Sequence, residues 1–204
     1  MGADSEQTRR TILRAARDVI AECGYPAATF QQIATRAGVS RPTLHYYFGT
    51  REQVYDVLLR EVHDQMAACV RQARGQTGLR SQLAAFAEEM QRFSAEDPVA
   101  MRFLVSARLE QRRGPHRHDA AHLVVSSVHA FYDAIAADAV RHGELGPDID
   151  THAVADMLAS LFWGMAFHAG FIDGGGNASI VARQLLQLFE TGLLNSRVGD
   201  PVDA

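Results

Sequence analysis

Three helix starts fall within the stretch TFQQIATRAGVSRPTLHYYFGTREQ, residues 29 to 53, and no other feature of the chain restricts its possible folds as much. Thr29 is followed three residues later by Gln32, and Thr50 by Gln53. Each pair has capping-box spacing, in which the Thr hydroxyl accepts from the third residue's N–H and the Gln side chain answers the Thr N–H. Between them Ser40 can cap a helix whose first turn holds Pro42, where the N–H that proline lacks would have no partner anyway. Gly38 and Gly49 supply the stops. The spacing predicts a helix from Phe30 to Ala37, a tight turn, a short helix from Ser40 to Phe48, and a third helix from Thr50. Helices this short are not stable alone in water. Ile33, Val39, Leu44 and Phe48 must therefore share a small core with a neighbour.

That neighbour is the amphipathic stretch from Thr8 to Glu22, which places Ile12, Ala16, Val19 and Ile20 on one face. The helix that Thr50 opens keeps its apolar period through Val54, Val57, Leu58 and Val62; run unbroken to Ala73 it is about 36 Å long, at 1.5 Å per residue. A rod of that length can join two domains. Gly75-Gln76-Thr77-Gly78 marks a break, and helical periodicity resumes at 79–95, 98–111, 115–142, 151–172 and 178–195. Alternating strand patterns are scarce. The fold class read from this pattern is all-α, with about nine helices. A three-helix, helix-turn-helix domain occupies residues 5–60, with its motif at 29–48, and a larger helical domain occupies 61–204.

Charge is unevenly shared along the chain. The net charge of −4 is not that of a protein built around phosphates, yet no Asp or Glu occurs between Cys23 and Arg51, where Arg36 and Arg41 stand. Residues 1–60 carry 8 Arg against 6 acids, a balance of +2, and residues 61–204 carry 12 against 18, a balance of −6. The residue types of the short helix then have a use. In a helix-turn-helix the second helix enters the major groove by its N-terminal end. Arg41 can reach base edges or phosphate, Thr43 can donate to either, and Pro42 offers apolar surface to a thymine methyl. His45, Tyr46 and Tyr47 combine ring faces with polar tips suited to sugar and phosphate, and Arg51 adds charge beside free helix N–H groups.

Other chemistries find little support. GxGxxG, P-loop, HExxH and GxSxG patterns are absent, which speaks against an enzyme and leaves an all-α small-molecule carrier as the rival class. Cys23 and Cys69 form no CxxC pair and read as reduced, buried thiols. The N-terminus MGADSEQTRR has no apolar signal core. The longest apolar stretch, Met157 to Ile172, is broken by Ser160, Gly164 and His168 and reads as too short for a bilayer span. A cytoplasmic protein without membrane contact is expected. His116, His118 and His122 share helical spacing, but Arg112, Arg113 and Arg117 beside them repel a cation, so a solvated loop is expected there and no metal. No cofactor is expected.

The run from Thr29 to Leu59, with the helix around Thr11 to Arg17 before it, closely resembles the N-terminal domain of TetR-family transcriptional regulators. Thr29, Ile33-Ala34, Ala37-Gly38-Val39-Ser40, Thr43-Leu44, Tyr47-Phe48 and Arg51-Glu52 carry the likeness, although His45 stands where Tyr or Phe is common and Arg51 where Lys is frequent. The resemblance implies a homodimer that binds double-stranded palindromic operator DNA and releases it when a small ligand occupies the C-terminal domain. Thr29, Gln31, Arg41, Pro42, Thr43, His45, Tyr46, Tyr47 and Arg51 would then face DNA. The helices at about 151–172 and 178–195 would pair with their copies. A small, mostly apolar effector would sit among Phe86, Met90, Phe93, Met101, Phe103, Phe131, Phe162, Trp163, Met165, Phe167 and His168.

Overall fold

The computed structural model describes residues 2–113, 119–172 and 178–191. Among the described residues there are nine α-helices and no strand: α1 (Gly2–Cys23), α2 (Phe30–Ala37), α3 (Arg41–Tyr47), α4 (Arg51–Arg74), α5 (Leu79–Glu96), α6 (Pro98–Arg113), α7 (Asp119–Arg141), α8 (Thr151–Phe167) and α9 (Ala178–Thr191). The all-α class is that observed, and so are the predicted breaks after α4, α5 and α7; those at 114–115 and 173–177 lie outside the described residues. Helix α1 starts six residues before the expected Thr8, with Asp4 in its first turn beside the free N–H groups. The expected starts at 115–118 and ends at 192–195 lie outside the described residues.

The Thr29 cap forms the full box its spacing predicts, whereas at Thr50 only half forms, because Gln53 Oε1 accepts from the Gly49 N–H at 2.9 Å. Thr29 accepts from the N–H of Gln32 at 3.2 Å while its own N–H donates to Gln32 Oε1 at 2.8 Å. Ser40 accepts from Thr43 at 3.1 Å, and Thr50 from Gln53 at 3.2 Å. Gly38 ends α2 with φ 67°, a left-handed conformation that costs glycine nothing.

A continuous apolar core runs from Ile12 in α1 to Ala166 in α8. Helix α4 carries it between the two ends of the molecule, burying Val54, Tyr55, Leu58, Leu59, Val62 and Met66 along one side and packing on both α5 and α7. The N-terminal end of α6 rests on α1. There Arg17 of α1 meets Asp97 at 2.5 Å, while the other Asp97 oxygen caps α6 by accepting from Ala100 at 3.1 Å. Asp97 is also the single residue between α5 and α6. Cys69 is buried, but Cys23 is exposed, which corrects the expectation for that thiol: at the last position of α1 nothing covers it.

Helix α8 does not end as an α-helix. From His168 to Ile172 the chain continues as a π-helical turn, whose Gly170 lies against the backbone of α6; a Cβ there would stand 3.2 Å from Arg102 Cα and 3.3 Å from Arg102 N. Arg102 Nε secures the contact by donating to the Gly170 carbonyl at 3.0 Å. Together α8 and the turn span 22 residues, Thr151–Ile172, with mean hydropathy 1.2. By length and composition alone that helix could cross a membrane, although Ser160, Gly164 and His168 interrupt its apolar run. Ala155, Leu158, Ala159, Phe162 and Ala166 form its buried face, and α7 is its main neighbour. Met157, Phe167, Phe171 and Ile172 are exposed, as are Ile180, Val181 and Leu188 of α9.

Two predictions follow from this packing. Gly170→Ala places a methyl where backbone already stands and should cost about 1–3 kcal/mol, read as a lowered urea midpoint at unchanged slope. On the α7–α8 surface, His129 Nε2 lies 2.8 Å from Asp156 and Nδ1 2.9 Å from Asp133, whose second oxygen is 3.0 Å from His152 Nδ1. The bond to Asp156, then the Asp133 charge, hold the imidazolium above its ordinary pKa. Its stabilisation is fully present below the unfolded value near 6.5 and fades as pH rises through the raised folded value. His129→Gln should therefore lower the urea midpoint more at pH 6 than at pH 8.5; equal losses at both would contradict this assignment.

Candidate nucleic-acid interface and interior cavity

Helix α3 is held by one side and shown by the other. Leu44 is fully buried and Phe48 nearly so, while Arg41, Pro42, His45 and Tyr46 are exposed and Thr43 and Tyr47 half-buried. Tyr46 is 83% exposed, an unusual state for a large ring, and Tyr47 meets it edge-on at 5.3 Å. Arg41 has no ion-pair partner among the described residues, in contrast to Arg36, which is held in a two-pronged pair by Glu22 at 2.7 and 2.8 Å. His45 Nδ1 lies 3.3 Å from the Gly49 carbonyl, and its ring edges against Phe30 at 4.8 Å. In the tautomer that donates to Gly49, Nε2 is left as an acceptor. Gln31 is exposed on α2 beside them.

Two of the expected DNA-facing residues serve the fold. Thr29 is exposed, yet its hydroxyl and N–H are both engaged with Gln32 in the capping box. Arg51 is more fully committed to the fold. Its Nη1 donates to the carbonyls of Ala28 at 2.8 Å, Tyr25 at 3.2 Å and Pro26 at 3.4 Å, and its guanidinium lies 4.3 Å from the centre of the Tyr25 ring. Tyr25 in turn stacks on Tyr55 at 4.1 Å and donates to Glu52 at 3.1 Å. Burial pushes the Tyr25 phenol up to about 12. Arg51 thus ties the α1–α2 loop to α4, a job that needs a fork of N–H donors.

In the larger part of the molecule a cavity of about 100 Å³ lies among α5, α6, α7, α8 and α9. Phe86, Met90 and Phe162 line it as expected, with Met101 and Met165. Phe103 does not: it is fully buried against Tyr55 at 5.7 Å and belongs to the core. Phe131 packs behind the wall on Phe86 at 4.7 Å, and Phe93 is half-buried outside the lining. Trp163 faces a separate crevice with Leu59, Val62 and Leu104. Phe167 points outward and stacks on Phe171 at 5.3 Å. His168, in the π-turn, is half-buried with a partnerless Nδ1 and does not line the cavity. The sequence reading missed Leu83, Ala87, Gln91, Ser94, Tyr132, Leu158, Leu161, Ala166, Ala169 and Leu185. Those on α5 could have been found, since 83, 86, 87, 90, 91 and 94 form one helical stripe.

His116 and His118 lie outside the described residues, and the side chain of His122 is likewise not described. Among the described residues no group of three or more His, Cys, Asp or Glu is placed to hold a metal.

An all-α protein whose head is a helix-turn-helix, with the second helix of that motif presented outward, is the class these features define. Residues 12–58 match the family model for bacterial regulatory proteins of the tetR family. By sequence, the likeness to the TetR family lies in this N-terminal part of the chain. The chain is 35% identical over 100 residues to the HTH-type transcriptional activator FasR of Mycolicibacterium smegmatis, covering 48% of this chain and 46% of that one. Over 73 residues it is 41% identical to the HTH-type transcriptional repressor LfrR of the same organism, covering 36% and 38%. The matched part thus spans less than half the length of either relative. The fold is shared more widely: the transcriptional regulator FadR from Bacillus subtilis, solved in complex with stearoyl-CoA, superposes with a TM-score of 0.72 at 19% identity, over 90% of this chain and 98% of that one.

Arg51→Ala should leave three carbonyls of the α1–α2 loop without their donor and cost about 1–3 kcal/mol, with Arg51→Lys recovering only part. Urea unfolding followed by circular dichroism checks this; an unchanged midpoint would return Arg51 to the surface.

Proposed function

We propose that this chain is a DNA-binding transcriptional regulator that acts as a homodimer on a palindromic operator, and that it is a ligand-responsive repressor. The observation that carries the reading is the outer face of α3, where Arg41, Pro42, Tyr46 and half-buried Thr43 and Tyr47 stand together with no carboxylate between Cys23 and Arg51. Arg41 and Thr43 serve as base-edge donors, and Tyr46, Tyr47, His45 and Gln31 as positioning contacts to the backbone. The reading divides the chain into a head over 5–60 and a ligand-binding and dimerisation body over 61–204. It is a cytoplasmic regulator and carries out no catalysis, in keeping with the regulator names of its relatives.

Dimerisation is supported by the apolar surface left on α8 and α9. Leu188 is 66% exposed and Ile172 65%, and Met157, Phe167, Phe171, Ile180 and Val181 join them on the same two helices. A monomer seldom leaves so many large apolar side chains on adjacent elements. A second copy would bury them and supply the second head that a two-fold operator requires. Ligand response is supported by the cavity and by its position: Met101 of α6 lines it, and the N-terminal end of α6 rests on α1 of the head. FadR's stearoyl-CoA shows that a neighbour in fold takes a small molecule. FasR is named as an activator, which keeps activation, or DNA binding without an effector, as the second reading.

Selection of binding sites from random duplex DNA tests the proposal. The full chain should enrich an inverted repeat, Arg41→Ala should weaken binding to it about ten-fold or more, and Tyr46→Ala should weaken it with little change in stability. Enrichment of no duplex, or variants that bind as the parent does, would remove the function.

A further inference from the structure

The interior cavity has a chemical signature of its own. Among the described residues no charged side chain lines it, and apart from Gln91, Ser94 and Tyr132 every described lining residue is apolar. Gln91 and Ser94 are half-buried and lie one turn apart on α5, at the margin. Tyr132 is different. It is only 4% exposed, its ring is fixed by Phe86 at 5.8 Å and Phe131 at 5.2 Å, and its hydroxyl has no hydrogen-bond partner among the described residues. Burial alone pushes its phenol pKa upward, with no partner contributing. A buried hydroxyl normally finds a partner because leaving it unmatched costs stability. Here it borders empty space.

We propose that the cavity binds a neutral, mainly hydrocarbon molecule carrying one oxygen, hydroxyl or carbonyl, that pairs with the Tyr132 hydroxyl. An ionised carboxylate, phosphate or ammonium brought to the same depth would meet no counter-charge and is rejected. This deepens, and rests on, the effector cavity of the proposed function. Selectivity follows from two opposed features of the same wall: Leu83, Phe86, Met90, Leu158 and Phe162 favour a chain or ring of carbon, while Tyr132 fixes which end goes in first. A pure hydrocarbon leaves the hydroxyl unmatched, and a polar molecule desolvates without return.

The test uses 1-octanol and octanoate as probes on the full chain without DNA at pH 7.5. Trp163 is the one tryptophan and touches cavity-lining Phe162 at 5.1 Å, so its emission reports occupancy; calorimetry registers binding that leaves emission unchanged. Octanol should bind saturably. Octanoate, whose acid form is only a few parts in a thousand of the total at that pH, should bind about a hundred-fold more weakly. Tyr132→Phe should weaken octanol about five-fold while leaving the urea midpoint unchanged or raised, because the hydroxyl supports nothing in the empty protein. Ala87→Phe should abolish binding by filling the space. Octanoate binding as tightly as octanol, octanol binding unchanged by Tyr132→Phe or by a folded Ala87→Phe, or no saturable octanol binding by calorimetry would each overturn the proposal. Operator affinity measured with octanol saturating is a separate result. Occupancy without any change there would remove the ligand-responsive reading and leave the assigned chemistry standing.

Discussion

Sealing Leu44 beneath α3 is the contact on which the head depends. Seven residues of helix have too few internal hydrogen bonds to hold themselves in water, so α3 exists only while its inner side chain is packed. Leu44 is fully buried beside Ile33 and Phe48, Ser40 satisfies the first turn, and the left-handed Gly38 sets the angle at which α3 leaves α2. Fixing the inner side fixes the outer one, because residues one turn apart share a face. Arg41, His45 and Tyr46 are thereby displayed, with the His45 contacts to Gly49 and Phe30 and the Tyr46–Tyr47 ring pair holding the outer side in place.

The head is not a free module. Arg51 ties the α1–α2 loop to α4, Arg17 ties α1 to the corner between α5 and α6, and α4 buries one continuous side through both regions. Asp97 at that corner does three things: it separates α5 from α6, caps α6, and holds Arg17. Both helices that meet there line the cavity. A change in their mutual angle therefore reaches α1 through a short, partly buried ion pair, which is less screened than one at the open surface. Arg17 Nε is itself buried without a partner, a sign that the junction is not at its electrostatic optimum.

Local signals were legible in the sequence, and long-range ones were not. Thr29, Ser40 and Thr50 announced their caps because a cap is decided by residues three apart, and the acid-free window announced the outer face of α3 through composition alone. The structural role of Arg51 was not legible because its partners, at Tyr25, Pro26 and Ala28, lie more than twenty residues away and are backbone atoms that leave no mark in sequence. The cavity was half-found: Phe86, Met90 and Phe162 are its walls, but choosing by aromatic and sulfur content brought in Phe103 and Trp163 from other packing sites and passed over Tyr132. The π-turn at His168–Ile172 was invisible, since it is set by how closely Gly170 approaches α6.

The central claim is that α3 reads duplex DNA from the major groove, twice per assembly. Dimethyl sulfate protection on a selected duplex tests it directly, because the reagent marks guanine N7 in the major groove and adenine N3 in the minor. The account predicts protected guanines in two symmetry-related clusters whose centres lie about one helical turn, roughly 34–36 Å, or a whole multiple of it apart. Protection confined to adenine N3, or a single cluster with no two-fold mate, would contradict it.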